Sequence, residues 1–209
     1  MISRPVSFIK PIDLTKARWL APLSKRYARI ASLQTLPPNV ALIAGNCVAF
    51  DEGRVIFVKN HKAACSTIAQ LIYLHQNGSV CEGNIHKDYE GLIQGLPNFP
   101  AVAAALIARD TFKFTFVRHP VSRAVSAFKN IFLEKSNEAW TLHAKSIWHW
   151  GFSDSASASA NFDVFLDYVT ESLHQNAQLT DPHFRRQVDN TGINALQFDF
   201  IGRVEEMGV

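Results

Sequence analysis

A β-branched and aromatic run passes within a few residues into a helical pattern twice in this chain, and this repeated strand-to-helix junction sets the fold class. The first junction is IFVKNHKAACSTIAQLI (56–72) and the second is FKFTFVRHPVSRAVSAF (112–128). Strands that alternate with helices predict an α/β fold, a central mainly parallel sheet flanked by helices in three layers. In such sheets ligands bind beyond the carboxyl ends of the strands, where both junctions belong.

The pattern extends in both directions. NVALIA (39–44) and CVAF (47–50) read as short strands about Gly45-Asn46, and RVIFV (54–58) as the better core strand. From Ser66 the spacing of Ile68, Leu71 and Ile72 marks a helix that Ser66 or Thr67 can cap and Asn77-Gly78 can end. Residues 96–110 form another helical pattern. In the second junction Pro120 suits a first helical turn, and Val121, Val125, Phe128 and Phe132 fall on one face. SDSASASA (153–160) reads as a flexible loop, Phe162 to Val169 as an amphipathic helix, and LQFDFIGRVE (196–205) as a last strand. The domain plan is an N-terminal helical extension over 1–38 and one domain over 39–209.

Composition narrows the function classes. Twenty-one Lys and Arg against 18 Asp and Glu give +3, too little for nucleic-acid binding through bulk charge, so any anion site is local. The three cysteines, Cys47, Cys65 and Cys81, contain no CxxC pair and suggest neither a disulfide framework nor a zinc site. No signal peptide or membrane anchor is visible, which points to a cytoplasmic setting without a membrane span. Nothing indicates an oligomeric state.

The first junction places Lys62, Ala63, Ala64, Cys65, Ser66 and Thr67 at the positive end of a helix. Small side chains expose backbone N–H groups there, Lys62 adds a mobile charge, and two hydroxyls can donate, so the elbow suits a phosphate- or sulfate-sized anion. An elbow that is small only for close packing is the plainer reading. It is not a GxxxxGK[ST] loop, because the glycines are missing and the lysine opens the turn. At the second junction Arg118 ends a strand, and Ser126 follows two helical turns later, so guanidinium and hydroxyl could grip a second phosphate. Arg123 belongs to that face or pairs with a carboxylate.

IFVKNHKAACST resembles the 5′-phosphosulfate-binding motif of sulfotransferases, and FTFVRHPVSRAVSAF is similar to their 3′-phosphate-binding motif, in the form of the carbohydrate sulfotransferase type, the sulfotransferase family 2 domain. NFDVFLDYV, DPHFRRQ (181–187) and FIGRVEEM (200–207) resemble downstream blocks, so the likeness runs from about 39 to 207. It implies a P-loop-like fold and transfer of the sulfuryl group of 3′-phosphoadenosine 5′-phosphosulfate (PAPS) to an acceptor hydroxyl, that of a glycan first, without a metal. By the same resemblance Lys62 contacts bridging and sulfate oxygens, Ala63 to Thr67 cradle the 5′-phosphate, and Arg118 and Ser126 hold the 3′-phosphate.

An acceptor alcohol also needs a base, and a histidine is the usual candidate. His86, in GNIHKDY between the junctions, occupies the region where related heparan-type enzymes place a catalytic histidine and ranks first; His183 in DPHFRRQ ranks second. His119 stands where the family commonly has Asp or Asn, and SIWHWGF (146–152) is a sugar platform or ordinary packing. Family members continue past GRVE with a further helical segment, whereas this chain stops at Val209, which puts contacts from that segment in doubt. Two other readings stay open: a non-catalytic nucleotide-binding module, and a phosphotransferase on a related fold.

Overall fold

A computed structural model describes residues 4–10, 13–88 and 99–208, which form two compact units. One unit, Pro11–Val117 with Asn190–Val209, holds the sheet; the other, Met1–Lys10 with Arg118–Asp189, is helical. Among the described residues no helix is long and apolar enough to cross a membrane.

The sheet has four strands in the order β1 (Cys47–Phe50), β2 (Val55–Val58), β3 (Phe112–Val117) and β4 (Phe200–Arg203). The β1–β2 pair is antiparallel, with Cys47 opposite Val58, while β2–β3 and β3–β4 are parallel, pairing Ile56 with Lys113 and Thr115 with Ile201. Because β2 and β3 are parallel neighbours, their carboxyl ends share one edge of the sheet.

Alternation along the strands sorts the core into two layers. Cys47, Ile56 and Val58 face one cluster, shared with Ala17 of α1 (Leu14–Leu20), Ile30 of α2 (Lys25–Ala31), Ile43 of α3 (Pro38–Ala44) and Leu106 of α6 (Phe99–Ile107). Val48 and Phe57 face the other, with Ile68 and Ile72 of α4 (Cys65–Asn77) and Ile85 of α5 (Ile85–Asp88). The three-layer α/β expectation is met in this unit. Each fully buried Ile, Leu or Phe contributes about 1.5–3 kcal/mol. Residues 14–36 supply part of this core.

Two corrections fall in this unit. NVALIA is helical rather than a strand: Pro38 occupies the first turn, where its missing N–H costs nothing. A six-residue apolar run cannot by itself declare its period, and the proline start decides it. Helix α4 begins at Cys65, and its N-cap is Ala64 with no side-chain hydrogen bond, so neither Ser66 nor Thr67 caps it. Gly78 ends it as expected, at φ 71° and with its N–H on the Leu74 carbonyl. Of the helix expected over 96–110, residues 96–98 lie outside the described residues.

The helical unit comprises α7 (Pro120–Phe128), α8 (Ala139–Trp148), α9 (Ala158–Asn176) and the start of α10 (Gln187–Thr191). Its core gathers Phe128, Phe132, Ile147, Phe152, Phe165, Tyr168 and Phe184. The face expected on α7 is only half right, since Val121 and Val125 are exposed while Arg123, Ala127 and Phe128 are buried. Phe132, the last residue of that expected face, is buried as well, beyond a π-helical turn over Lys129–Leu133 in which the Glu134 N–H meets the Lys129 carbonyl. SDSASASA is not loop throughout either: Ser157 caps α9, its hydroxyl accepting from the Ala160 N–H.

The N-terminal segment lies on this same core. Trp150 Nε1 donates to the Pro5 carbonyl, the Ser7 N–H donates to the Tyr168 hydroxyl, the Ile9 N–H donates to Leu179, and Val6 packs into the aromatic cluster.

Candidate active site

In the sheet unit, β2 runs out through Lys59 and Asn60 into the elbow. Asn60 is fully buried; its Nδ2 donates to the Phe116 carbonyl at 3.0 Å, Asn190 Nδ2 reaches its Oδ1 at 3.3 Å, and its own carbonyl takes the Ala63 N–H at 3.2 Å. That amide fixes where the elbow starts and was not singled out by sequence reasoning, since an Asn beside a strand carries no distinctive pattern.

Lys62 and Ala64 both take left-handed backbone conformations, φ 64° and 57°. Non-glycine residues enter this region at a cost and persist there where the surroundings enforce it. The consequence is a concave turn feeding directly into α4, whose first N–H groups have no partner within the helix. Ile68 makes the first α-helical bond, to Ala64, which leaves the N–H groups of Cys65, Ser66 and Thr67 ahead of it. Ser66 and Thr67 are exposed, Ala63 is buried, and Lys62 and Cys65 are half-buried. A turn with small side chains, three leading N–H groups and a lysine fits an oxyanion of phosphate or sulfate size.

His86 on α5 joins this elbow: its Nε2 lies 2.7 Å from Ser66 Oγ, and its N–H is held by Asn84 Oδ1 at 3.0 Å. Lys59 is buried just before the elbow, and burial pushes its ammonium below the ordinary lysine value, against the pull of Cys65 and Cys47. Burial also pushes the Cys47 thiol up.

In the helical unit, Arg118 precedes α7 and is half-buried, as is Ser126. The backbone of Arg118 is clasped by Gln187, whose Oε1 accepts the Arg118 N–H at 2.9 Å and whose Nε2 donates to the Arg118 carbonyl at 2.8 Å. Arg123 is buried; its Nη1 donates to the Arg185 carbonyl and its Nη2 to that of Pro182, both at 2.8 Å. These donors fasten the DPHFRRQ loop to α7.

The same loop carries His183 in an ordered polar chain. His183 Nδ1 lies 2.7 Å from Asp181 Oδ1, which also accepts the His183 N–H at 2.8 Å. Asp181 Oδ2 meets His143 Nε2 at 3.1 Å, and His143 Nδ1 meets the Tyr168 hydroxyl at 2.8 Å. Burial alone would raise the Asp181 carboxyl, but hydrogen bonds and charge from His143 and His183 outweigh it and hold the group well below the usual carboxylate range. Burial pushes the Tyr168 hydroxyl up, so it stays protonated. Sequence reasoning named His183 and missed Asp181, His143, Tyr168 and Gln187. The Asp-x-His spacing and the glutamine four residues after His183 were the visible signals.

Among the described residues no group of three or more His, Cys, Asp or Glu could hold a metal ion. The tryptophans of SIWHWGF divide: Trp148 is exposed, and Trp150 receives the Arg4 guanidinium 5.2 Å above its ring.

A sequence model described as the sulfotransferase family matches residues 46–208. The carbohydrate sulfotransferase 14 of Danio rerio is 23% identical over 161 residues, covering 75% of this chain and 44% of its own length. The chain thus spans less than half of that relative. No solved structure matches it.

Proposed function

The chain belongs to the sulfotransferase family, and from that premise we propose that it moves the sulfuryl group of PAPS to a hydroxyl of a carbohydrate. The observation that carries the reading is the elbow, with Lys62 and Ala64 left-handed ahead of a helix start that no side chain caps. The likeness to a protein named for carbohydrate sulfation supports the acceptor class.

In this reading the N–H groups of Cys65, Ser66 and Thr67 and the hydroxyls of Ser66 and Thr67 cradle the 5′-phosphosulfate, while Arg118 and Ser126 take the 3′-phosphate. Attack of the acceptor oxygen on sulfur moves charge onto the leaving phosphate oxygen. Lys62 and the helix start meet that charge in place, the kind of preorganised stabilisation that lowers a barrier most. His86 holds the Ser66 hydroxyl at the cradle.

The direct test is a thermal shift. Adenosine 3′,5′-bisphosphate bound only to the native state must raise apparent stability, by about 2.7 kcal/mol at a hundredfold excess over Kd. The bisphosphate is expected to raise Tm while ATP with Mg²⁺ does not; no shift at saturating bisphosphate overturns the reading. Lys62→Ala is expected to lower kcat by about 100-fold or more, on the scale of losing one transition-state donor.

A further inference from the structure

Charge is unevenly placed along the chain. Between Asp13 and Asp51 there is no acidic residue, and that stretch holds Lys16, Arg18, Lys25, Arg26 and Arg29. From Asp51 onward the chain carries 14 Lys and Arg against 17 Asp and Glu. One cationic segment is thus joined to a slightly acidic remainder, a distribution that the small net charge conceals.

The five basic side chains stand on α1 and α2, and all of them are exposed. Among the described residues none of the five forms an ion pair. The inner faces of the two helices serve the fold: Ala17 and Ile30 are buried, and Leu14 and Tyr27 pack against the same cluster. The outer face carries something the fold does not use. Trp19 and Leu23 are 81% and 83% exposed, the highest values among the exposed large apolar side chains described. They stand four residues apart, where α1 runs into a 3₁₀ turn over Ala21–Leu23, and Pro22 between them is exposed as well. Trp19 follows buried Ala17 by two residues and so lies on the opposite side of α1.

A single exposed leucine needs no explanation. A tryptophan and a leucine at one corner, between two helices that carry five unopposed cations, call for a partner both apolar and anionic. A soluble polyanion answers the cations but offers Pro22 and Leu23 no apolar surface. A second copy of the chain answers the apolar tip but brings like charges together. The surface of an anionic bilayer answers both, because tryptophan settles at headgroup level while Lys and Arg stems reach the phosphates.

We propose that the corner between α1 and α2 docks the protein on an anionic bilayer surface, with Trp19 and Leu23 entering the headgroup boundary and the five cations meeting acidic headgroups. The attachment is peripheral and needs no spanning helix. It goes beyond the sulfotransferase reading and does not depend on it. Helices α1 and α2 share the core layer of Cys47, Ile56 and Val58, whereas α4 shares that of Val48 and Phe57, so the elbow's helix belongs to the other side of the sheet.

Sedimentation of the full chain with lipid vesicles tests this. Binding is expected to an equimolar mixture of phosphatidylcholine and phosphatidylglycerol, to weaken as salt is added, and to be lost on phosphatidylcholine alone. Trp19→Ser and Leu23→Ser are each expected to weaken it about tenfold or more, the scale of one large apolar side chain withdrawn from burial. Lys25→Gln combined with Arg26→Gln is expected to weaken it about 25-fold, some fivefold per charge. All four positions are exposed, so Tm and the bisphosphate shift of these variants are expected to match wild type, which separates lost docking from lost folding. Brominated acyl chains are expected to quench the fluorescence of wild type and not that of Trp19→Ser. Equal binding to neutral and anionic vesicles, or binding to neither, overturns the proposal. So does tight binding of dextran sulfate that Trp19→Ser leaves unchanged, which would assign the corner to a soluble polyanion, and so does a dimer in sedimentation equilibrium that Leu23→Ser dissociates. A wild type that binds anionic vesicles in this way but gives no bisphosphate shift overturns the sulfotransferase reading alone.

Discussion

Gln187 closes its side-chain amide on the backbone of Arg118, taking the N–H at 2.9 Å and giving to the carbonyl at 2.8 Å. The clasp sets the direction in which the arginine leaves the chain just before α7. Its two hydrogen bonds together contribute about 1–3 kcal/mol. Gln187→Leu is expected to lower stability by that amount in chemical denaturation and to weaken adenosine 3′,5′-bisphosphate binding about tenfold in calorimetry, because Arg118 loses its placement. Gln187→Glu keeps the acceptor and removes the donor, so it should fall between the two. Unchanged bisphosphate affinity in Gln187→Leu would show that Arg118 does not depend on the clasp.

Ala64 can be tested without touching a polar group. Its φ of 57° costs a residue with a Cβ on the order of 1 kcal/mol, a cost glycine avoids. Ala64→Gly is expected to keep the bisphosphate shift and to leave Tm equal or slightly higher. A β-branched side chain has no comfortable place in that region, so Ala64→Val is expected to cost about 2 kcal/mol and to abolish the shift. Equal behaviour of the two variants would mean that the elbow relaxes out of the left-handed turn.

The difference between what sequence made legible and what it did not follows from range. The elbow and the start of α7 are contiguous segments, and the small residues, the lysine and the helix-starting proline can be read directly in order. The chain from Ser7 through Tyr168, His143 and Asp181 to His183 joins positions scattered from the N-terminus to the last fifth of the sequence. No period or spacing announces it, and His143 inside α8 looks like any histidine on a helix. The misread face of α7 has another origin: Val121 and Val125 share a helical face with Phe128 by period, yet only Phe128 is buried, and period alone does not say how far along a face its cover extends.

Asp181 gives the protein a defined response to acid. Its native carboxyl lies well below the usual range, so between about pH 4, where an unfolded aspartate titrates, and that lower value the unfolded chain binds more protons. Its contribution is therefore complete above about pH 4 and is lost as the pH falls further. Urea denaturation at pH 7 and at pH 3 is expected to show a larger drop in wild type than in Asp181→Asn. Parallel curves for the two proteins would assign acid sensitivity to other groups.

Gly202 sits on β4 where a side chain has no room. A Cβ there would run into the Phe116 ring and approach Phe200 Cε1 to 2.9 Å, and those two rings already meet edge to face with centroids 5.9 Å apart. Phe116 lies on β3, paired directly opposite Gly202, so its ring cannot move away without disturbing that register. Gly202→Ala is expected to cost about 1–3 kcal/mol, the usual range for overpacking. A Phe116→Leu change in the same chain should recover part of it by opening the space, so the double variant would be more stable than the two single losses predict. Additive losses in chemical denaturation would show that the aromatic pair is not what excludes a side chain at this position.

Lys59 places an amine where burial opposes its charged form. Among the described residues no carboxylate forms an ion pair with it, and burial pushes its ammonium below the ordinary lysine value. Native protein therefore binds fewer protons than the unfolded chain between that lowered value and about pH 10.4, and stability must rise with pH through this window. Burying this amine costs stability at neutral pH, and an apolar side chain of similar length removes that cost. Lys59→Met is expected to raise Tm at pH 7, with the advantage over wild type narrowing as pH is raised toward 10, measured by thermal denaturation across that range. A lower Tm at pH 7 would mean that the surroundings compensate the amine, and a bisphosphate shift weakened alongside it would tie Lys59 to anion binding at the elbow.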